Sequence, residues 1–248
     1  DGSIRPVNDF QPKLRDDFAI TTKLHPNIGE TLNDIGFIKN AIDASFKHLN
    51  VDRIDNFLLH RWEQKKALGG QLWKVLLEYK KEGKIGRLGF SMAFELDEVK
   101  EALTVPEVEF IQVPLNILDW RWQESGLDKA LLERPSIHLQ ARSILLQGVL
   151  VNDASYWPHM GQNTTEVIEW LNDTASDMGL SNRLELCFAY AKSLPWVNSI
   201  VVGVENAGQL RHNIQLYNKK ILQADEIDRI VTSRPKVPVE LLNPALWV

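Results

Sequence analysis

The sequence predicts an α/β fold in a single domain, and three observations carry it. Short apolar runs alternate along the chain with stretches of helical periodicity, the connections between them are short, and the runs read as buried strands. That is the pattern of a parallel sheet whose crossovers are helices. Two of the strands also end in a titratable side chain, Lys23 after Phe18–Thr22 and His60 at the close of IDNFLLH. In parallel sheets chemistry sits at the C-terminal strand ends, so these two residues point to one shared site.

In order, residues 1–17 hold four Asp, two Pro and two Arg without sustained periodicity and read as loop or linker. Phe18–Lys23 is the first strand, broken by Pro26, Asn27 and Gly29. Ile35, Ile38, Ile42, Phe46 and Leu49 step by three or four and predict an amphipathic helix. Ile54–Leu59 is the second strand. Leu72, Val75, Leu76 and Tyr79 make the next helix face, stopped by Gly83. Further strands are expected at Arg87–Ser91, Val108–Val113, Ile137–Ala141 and Ser199–Val202. Helices are expected at Leu96–Leu103, Leu127–Leu132, Val167–Met178, Arg183–Lys192 and Ala207–Tyr217. From Asp225 a short helix and a proline-punctuated tail close the chain. The count is six strands.

Of 248 residues, 44% are hydrophobic and 25% charged, an ordinary globular balance. A net charge of −5, spread without blocks, argues against nucleic acid or an anionic membrane as partner. The lone cysteine, Cys187, lies in the apolar run LELCFAYA and reads as a buried thiol, consistent with a reducing, cytoplasmic compartment. No run of about 18 apolar residues is present. His25 and His48 read as surface or helix residues, and without ligand spacing no metal site is expected.

Several stretches together resemble the aldo-keto reductase family: ITTKL at 20–24, LNVDRIDNFLLH at 49–60, EYKKEGKIGRLGFS at 78–91, FIQVPLNILDWR at 110–121, ARSILLQGVL at 141–150 and SIVVGVENAGQLRHNI at 199–214. NILDWR and RSILLQG are similar to a branch associated with sugar and polysaccharide biosynthesis. The resemblance implies a (β/α)8 TIM barrel, here lacking its first two strands. It also implies NAD(P)H-dependent reduction of a carbonyl, on an aldehyde, a ketone or a sugar derivative. In that family a tyrosine is the general acid, its pKa lowered by a lysine paired with an aspartate, and a histidine orients the carbonyl oxygen. A phenol near pKa 10 needs such a cation to act near neutrality.

By resemblance Lys23 is that lysine and His60 that histidine. The tyrosine and aspartate belong to a motif resembling D-x-A-x-x-Y-G on an earlier strand, whereas no tyrosine precedes Tyr79 here. They are expected upstream of Asp1.

The same resemblance assigns the cofactor. Ser91 would hold the nicotinamide carboxamide, with Met92 standing where asparagine is common, and Gln112 is a further candidate for the cofactor site. Gln112 is also a lone amide in an apolar strand, which costs about 1–3 kcal/mol unless paired. Arg142 could stack on the ring through its planar guanidinium. Ser143, Leu145 and Gln147 would follow the pyrophosphate, and Gly203, Glu205, Gln209 and Asn213 the adenosine end. NADP(H) is favoured by family habit. NAD(H) stays open, because a carboxylate at Glu205 repels a 2′-phosphate but can accept from a 2′-hydroxyl.

Trp120, Trp122 and Trp157 could wall a substrate or plug loops. Two other classes of function compete: a barrel that has lost catalysis and binds a ligand or partner, and a lyase or epimerase using Lys23 as base or Schiff-base amine.

Overall fold

A computed structural model of the chain describes residues 18–25 and 34–247. The expectations for residues 1–17 and for the break at Pro26, Asn27 and Gly29 lie outside the described residues. The chain divides into two compact units, Asp1–Gln112 and Val113–Val248.

The first unit holds β1 (Thr21–Leu24), α1 (Ile35–Leu49), β2 (Ile54–Leu59), α2 (Ala67–Lys81), β3 (Ile85–Ser91), α3 (Leu96–Leu103) and most of β4 (Phe110–Pro114). Its strands pair in parallel, with Lys23 opposite Leu58, Leu58 opposite Gly89, and Ser91 opposite Gln112. Helix α1 forms where its pattern predicts, because Asp34 accepts from the Gly36 N–H at its start and Asn50 closes it in the left-handed conformation. Its buried stripe is Ile38, Ile42 and Leu49. Helix α2 buries Leu72, Val75, Leu76 and Tyr79, and Gly83 takes φ 78° just beyond its end. Ahead of that face, Leu68, Gly69 and Gly70 are all left-handed and kink the helix.

Close approach of β3 to β4 depends on Gly89, since a Cβ there would overlap the Phe110 carbonyl oxygen.

Strand β4 crosses into the second unit. There it is followed by α4 (Arg121–Glu124), α5 (Leu127–Leu132), β5 (His138–Arg142), α6 (Thr164–Asp177), α7 (Arg183–Ser193), β6 (Ser199–Ile200), α8 (Ala207–Tyr217), α9 (Ala224–Ser233) and α10 (Val239–Leu242). Strands β5 and β6 are parallel, Gln140 facing Ser199 and Ala141 facing Ile200. Strand β6 is shorter than predicted: Val201 still donates to the Ala141 carbonyl, after which the chain leaves the ladder toward Gly203.

The core of this unit is built on Trp122, Leu139, Leu150, Leu186, Phe188 and Tyr190, all fully or almost fully buried. Asp119 and Arg121, within NILDWR, form a bidentate ion pair at 2.8 and 2.7 Å. Arg234 donates to the carbonyls of Ile117 and Asp119 and to Tyr190 and Gln123, tying the tail to that loop.

Six strands follow chain order in one sheet, with β1 and β6 at the ends of that order, and helices fill the crossovers. This is the β/α repeat that the sequence predicted, with six of the eight strands of a full barrel among the described residues. No described helix is long and apolar enough to cross a membrane.

Candidate functional site

In the first unit the strand alternation brings the predicted residues to one face. Side chains two apart on a strand share a side. His60 and Ser91 each lie two residues beyond the paired Leu58 and Gly89, and Ser91 is opposite Gln112. Lys23 is opposite Leu58, one rung lower. Its four-carbon stem makes up the difference: Nζ donates to Gln112 Oε1 at 3.0 Å and to Ser91 Oγ at 3.3 Å. Ser91 in turn donates to Gln112 Oε1 at 3.1 Å.

These bonds set the polarity of the group. An ammonium only donates, so Gln112 presents its oxygen to Lys23 and turns Nε2 the other way. Ser91 and Gln112 are buried while Lys23 is exposed, so a water-reachable cation is held by two buried polar groups. His60 stands exposed at the rim, just past β2. Met92 is fully buried, and its N–H donates to the Gln112 carbonyl at 2.8 Å.

The second unit gathers another predicted set. Arg142, Ser143, Leu145, Gln147 and Gly203 line one cavity of about 280 Å³ with Ile144, Gly148, Val201 and Val202. Arg142 donates to Ser143 Oγ at 3.3 Å, and burial pulls its guanidinium below the ordinary value. The segment after β5 is unusual. Ser143, Leu146 and Gln147 hold φ of 61°, 47° and 56° without being glycine, followed by Gly148 at 87°. Side chains at such angles are strained, and strain of this kind clusters at ligand clamps.

Glu205 and Gln209 are linked, the Glu205 N–H donating to Gln209 Oε1 at 2.7 Å, and Asn206 caps α8 by accepting from the Gln209 N–H. Asn213 lies half-buried one turn further along α8. None of Glu205, Gln209 and Asn213 lines the 280 Å³ cavity.

The tryptophans resolve as packing. Trp122 is fully buried beside Trp196, ring centres 5.1 Å apart, and Trp157 is buried too. Trp120 donates to the Val237 carbonyl under the ammonium of Lys236. Among the described residues no three His, Cys, Asp or Glu side chains gather as metal ligands would.

Gln64 and Asn206 escaped the sequence reading. Gln64 is 3% exposed, and its side chain joins the ends of β1 and β2. No sequence pattern marks it, because a capping box needs an accepting side chain at the N-cap and Arg61 only donates. For Asn206 the signal was an asparagine ahead of a helical pattern.

The family model for the aldo/keto reductase family matches residues 5–234. A curated relative, the uncharacterized oxidoreductase YqkF of Bacillus subtilis (strain 168), is 26% identical over 202 residues, or 77% of this chain. The match spans 63% of the relative's length, so the chain corresponds to less than two thirds of that protein. Among solved structures, the holo form of the aldo-keto reductase AKR11C1 from Bacillus halodurans superposes with a TM-score of 0.72 at 21% identity. That alignment covers 90% of this chain and 75% of the other. The thermostable aldo-keto reductase Tm1743, in complex with the inhibitor epalrestat, gives 0.66 at 21% identity, covering 91% and 74%. At these identities the structural likeness speaks for the fold, the β/α barrel arrangement of those reductases.

Proposed function

The chain belongs to the aldo/keto reductase family, and on that premise we propose that it reduces the carbonyl of an aldehyde or ketone with NAD(P)H. The observation that supports this most is the hydrogen-bonded set Lys23–Ser91–Gln112 on the same strand-end face as His60.

The donor set suits a nicotinamide cofactor. A serine hydroxyl and a glutamine amide on neighbouring strand ends complement a carboxamide, which both donates and accepts. The strained segment from Ser143 to Gly148 borders a cavity open to a pyrophosphate. A bound nicotinamide supplies the hydride.

The described residues bind and polarise the carbonyl, and the proton that completes the alcohol comes from a separate general acid. His60 donates a hydrogen bond to the carbonyl oxygen and fixes its orientation. Lys23 supplies a positive charge, held in place by two acceptors, that favours negative charge developing on that oxygen or on its proton donor. Arg142 offers a flat, partly desolvated guanidinium for stacking. For the nucleotide, NADP(H) follows family habit, and the exposed carboxylate of Glu205 is the residue that tests it.

In the full chain, His60→Ala should lower carbonyl turnover by on the order of 10²-fold or more. Quenching of tryptophan fluorescence by NADPH and by NADH should stay as in the wild type. Wild-type turnover in that variant would sink the assignment.

A second reading, a ligand-binding barrel without catalysis, draws on Met92, whose buried thioether offers no donor where a carboxamide would need one. It predicts no carbonyl turnover by the wild type and no quenching at about 1 mM of either nucleotide, the upper end of ordinary Michaelis constants.

A further inference from the structure

We infer that Gln64 is a positioning residue for His60, a role that rests on the carbonyl-reducing reading of the site. The β1–β2 ladder ends with Leu24 opposite Leu59. The next pair would be His25 and His60, and there a side-chain amide takes over from the backbone. Gln64 Oε1 accepts from the N–H of His60 at 2.8 Å and of Arg61 at 3.0 Å, while Nε2 donates to the His25 carbonyl at 3.1 Å.

The carboxamide therefore works as an inserted peptide group between two strands that have begun to separate. It is 3% exposed, so water does not substitute for it. On one side it holds the residue carrying the imidazole. On the other it holds the strand that carries Lys23 two residues earlier. The amide thus ties the two strand ends together, and the backbone from which the His60 side chain leaves is one of its partners. Positioning of this kind changes rate steeply, because errors of about 1 Å in a reacting group cost on the order of 10²-fold.

A purely structural account is also available: Gln64 occupies the third position of the 3-10 helix Trp62–Lys66 and accepts from the Arg61 N–H at its start. The two accounts differ in a double-mutant cycle.

Gln64→Met keeps length and apolar volume and removes all three hydrogen bonds. In the full chain it should lower kcat about tenfold or more with the cofactor KM unchanged, and cause little further loss on top of His60→Ala. In histidine-ring NMR the His60 resonance, identified by its absence in His60→Ala, should shift in Gln64→Met, while those of His48 and His159 stay put. If Gln64→Met does not fold, Gln64→Glu keeps both accepted bonds and sets a carboxylate against the His25 carbonyl, and the same cycle applies.

An equal fold-loss in the wild-type and His60→Ala backgrounds overturns the inference, as does an unmoved His60 resonance. Turnover lost in His60→Ala but retained in Gln64→Met overturns this inference alone. Turnover retained in His60→Ala overturns the reading beneath it.

Discussion

Glu98, on the first turn of α3, makes pH a lever on stability. One of its carboxylate oxygens is buried without a hydrogen-bond partner. Burial first, and then the neighbouring carboxylates of Glu63, Glu95 and Glu101, push its pKa from 4.5 to about 7. The folded chain thus keeps a proton that the unfolded chain releases, so stability falls as pH rises from about 4.5 to about 7. Glu98→Gln should remove that slope: its urea midpoint should change less than the wild type's between pH 5 and 7.5, and exceed it above pH 7. Equal slopes in the two proteins would contradict this account. At this scale the sequence was informative where a polar side chain closes or interrupts an apolar run, as at Lys23, Ser91 and Gln112, which hydrogen-bond to one another. It was uninformative at Gln64, which sits in WEQKK and looks solvated until the fold buries it.

Among the elements, β3 and β4 are the most exacting pair, because the layer beneath Ser91 and Gln112 has no space for a side chain at Gly89. Gly89→Ala should therefore destabilise by about 2 kcal/mol or more, at the upper end of ordinary substitutions, through the overlap with the Phe110 backbone. Thermal unfolding of the variant checks this, and a midpoint equal to the wild type's would refute it. Helix periodicity was easy to read: Leu96–Leu103, Leu127–Leu132 and Ala207–Tyr217 form with the predicted bounds. Strand ends were harder, since where a ladder stops is set by neighbouring strands. Thus β1 begins at Thr21 rather than Phe18, and β6 ends at Ile200. The short helices α4 and α10 were missed because four residues carry too little periodicity to register.

For the molecule as a whole, the alternation of strand and helix was the reliable signal, and the residues matched by the family model run through nearly all of it. What the sequence could not convey was the packing of single large side chains. Trp122 and Trp157 looked equally suited to walling a substrate and to plugging loops, and both turn out to be buried in packing. Cys187 gives a probe of global opening. It is buried, and desolvation pushes its thiol up to about 12, so almost no thiolate exists near neutrality. Alkylation at pH 8 should track denaturant unfolding as followed by circular dichroism, with negligible labelling of the native protein. Rapid native labelling would show that the second unit opens locally around α7.

The strained backbone between Ser143 and Gly148 has a wider meaning for engineering. Three non-glycine residues there hold angles that glycine would adopt freely. Each costs on the order of 1–3 kcal/mol and persists because its surroundings over-determine it. Glycine at those positions would trade rigidity for thermostability. The loop is thus the place where a hardier version of this barrel and a working one diverge.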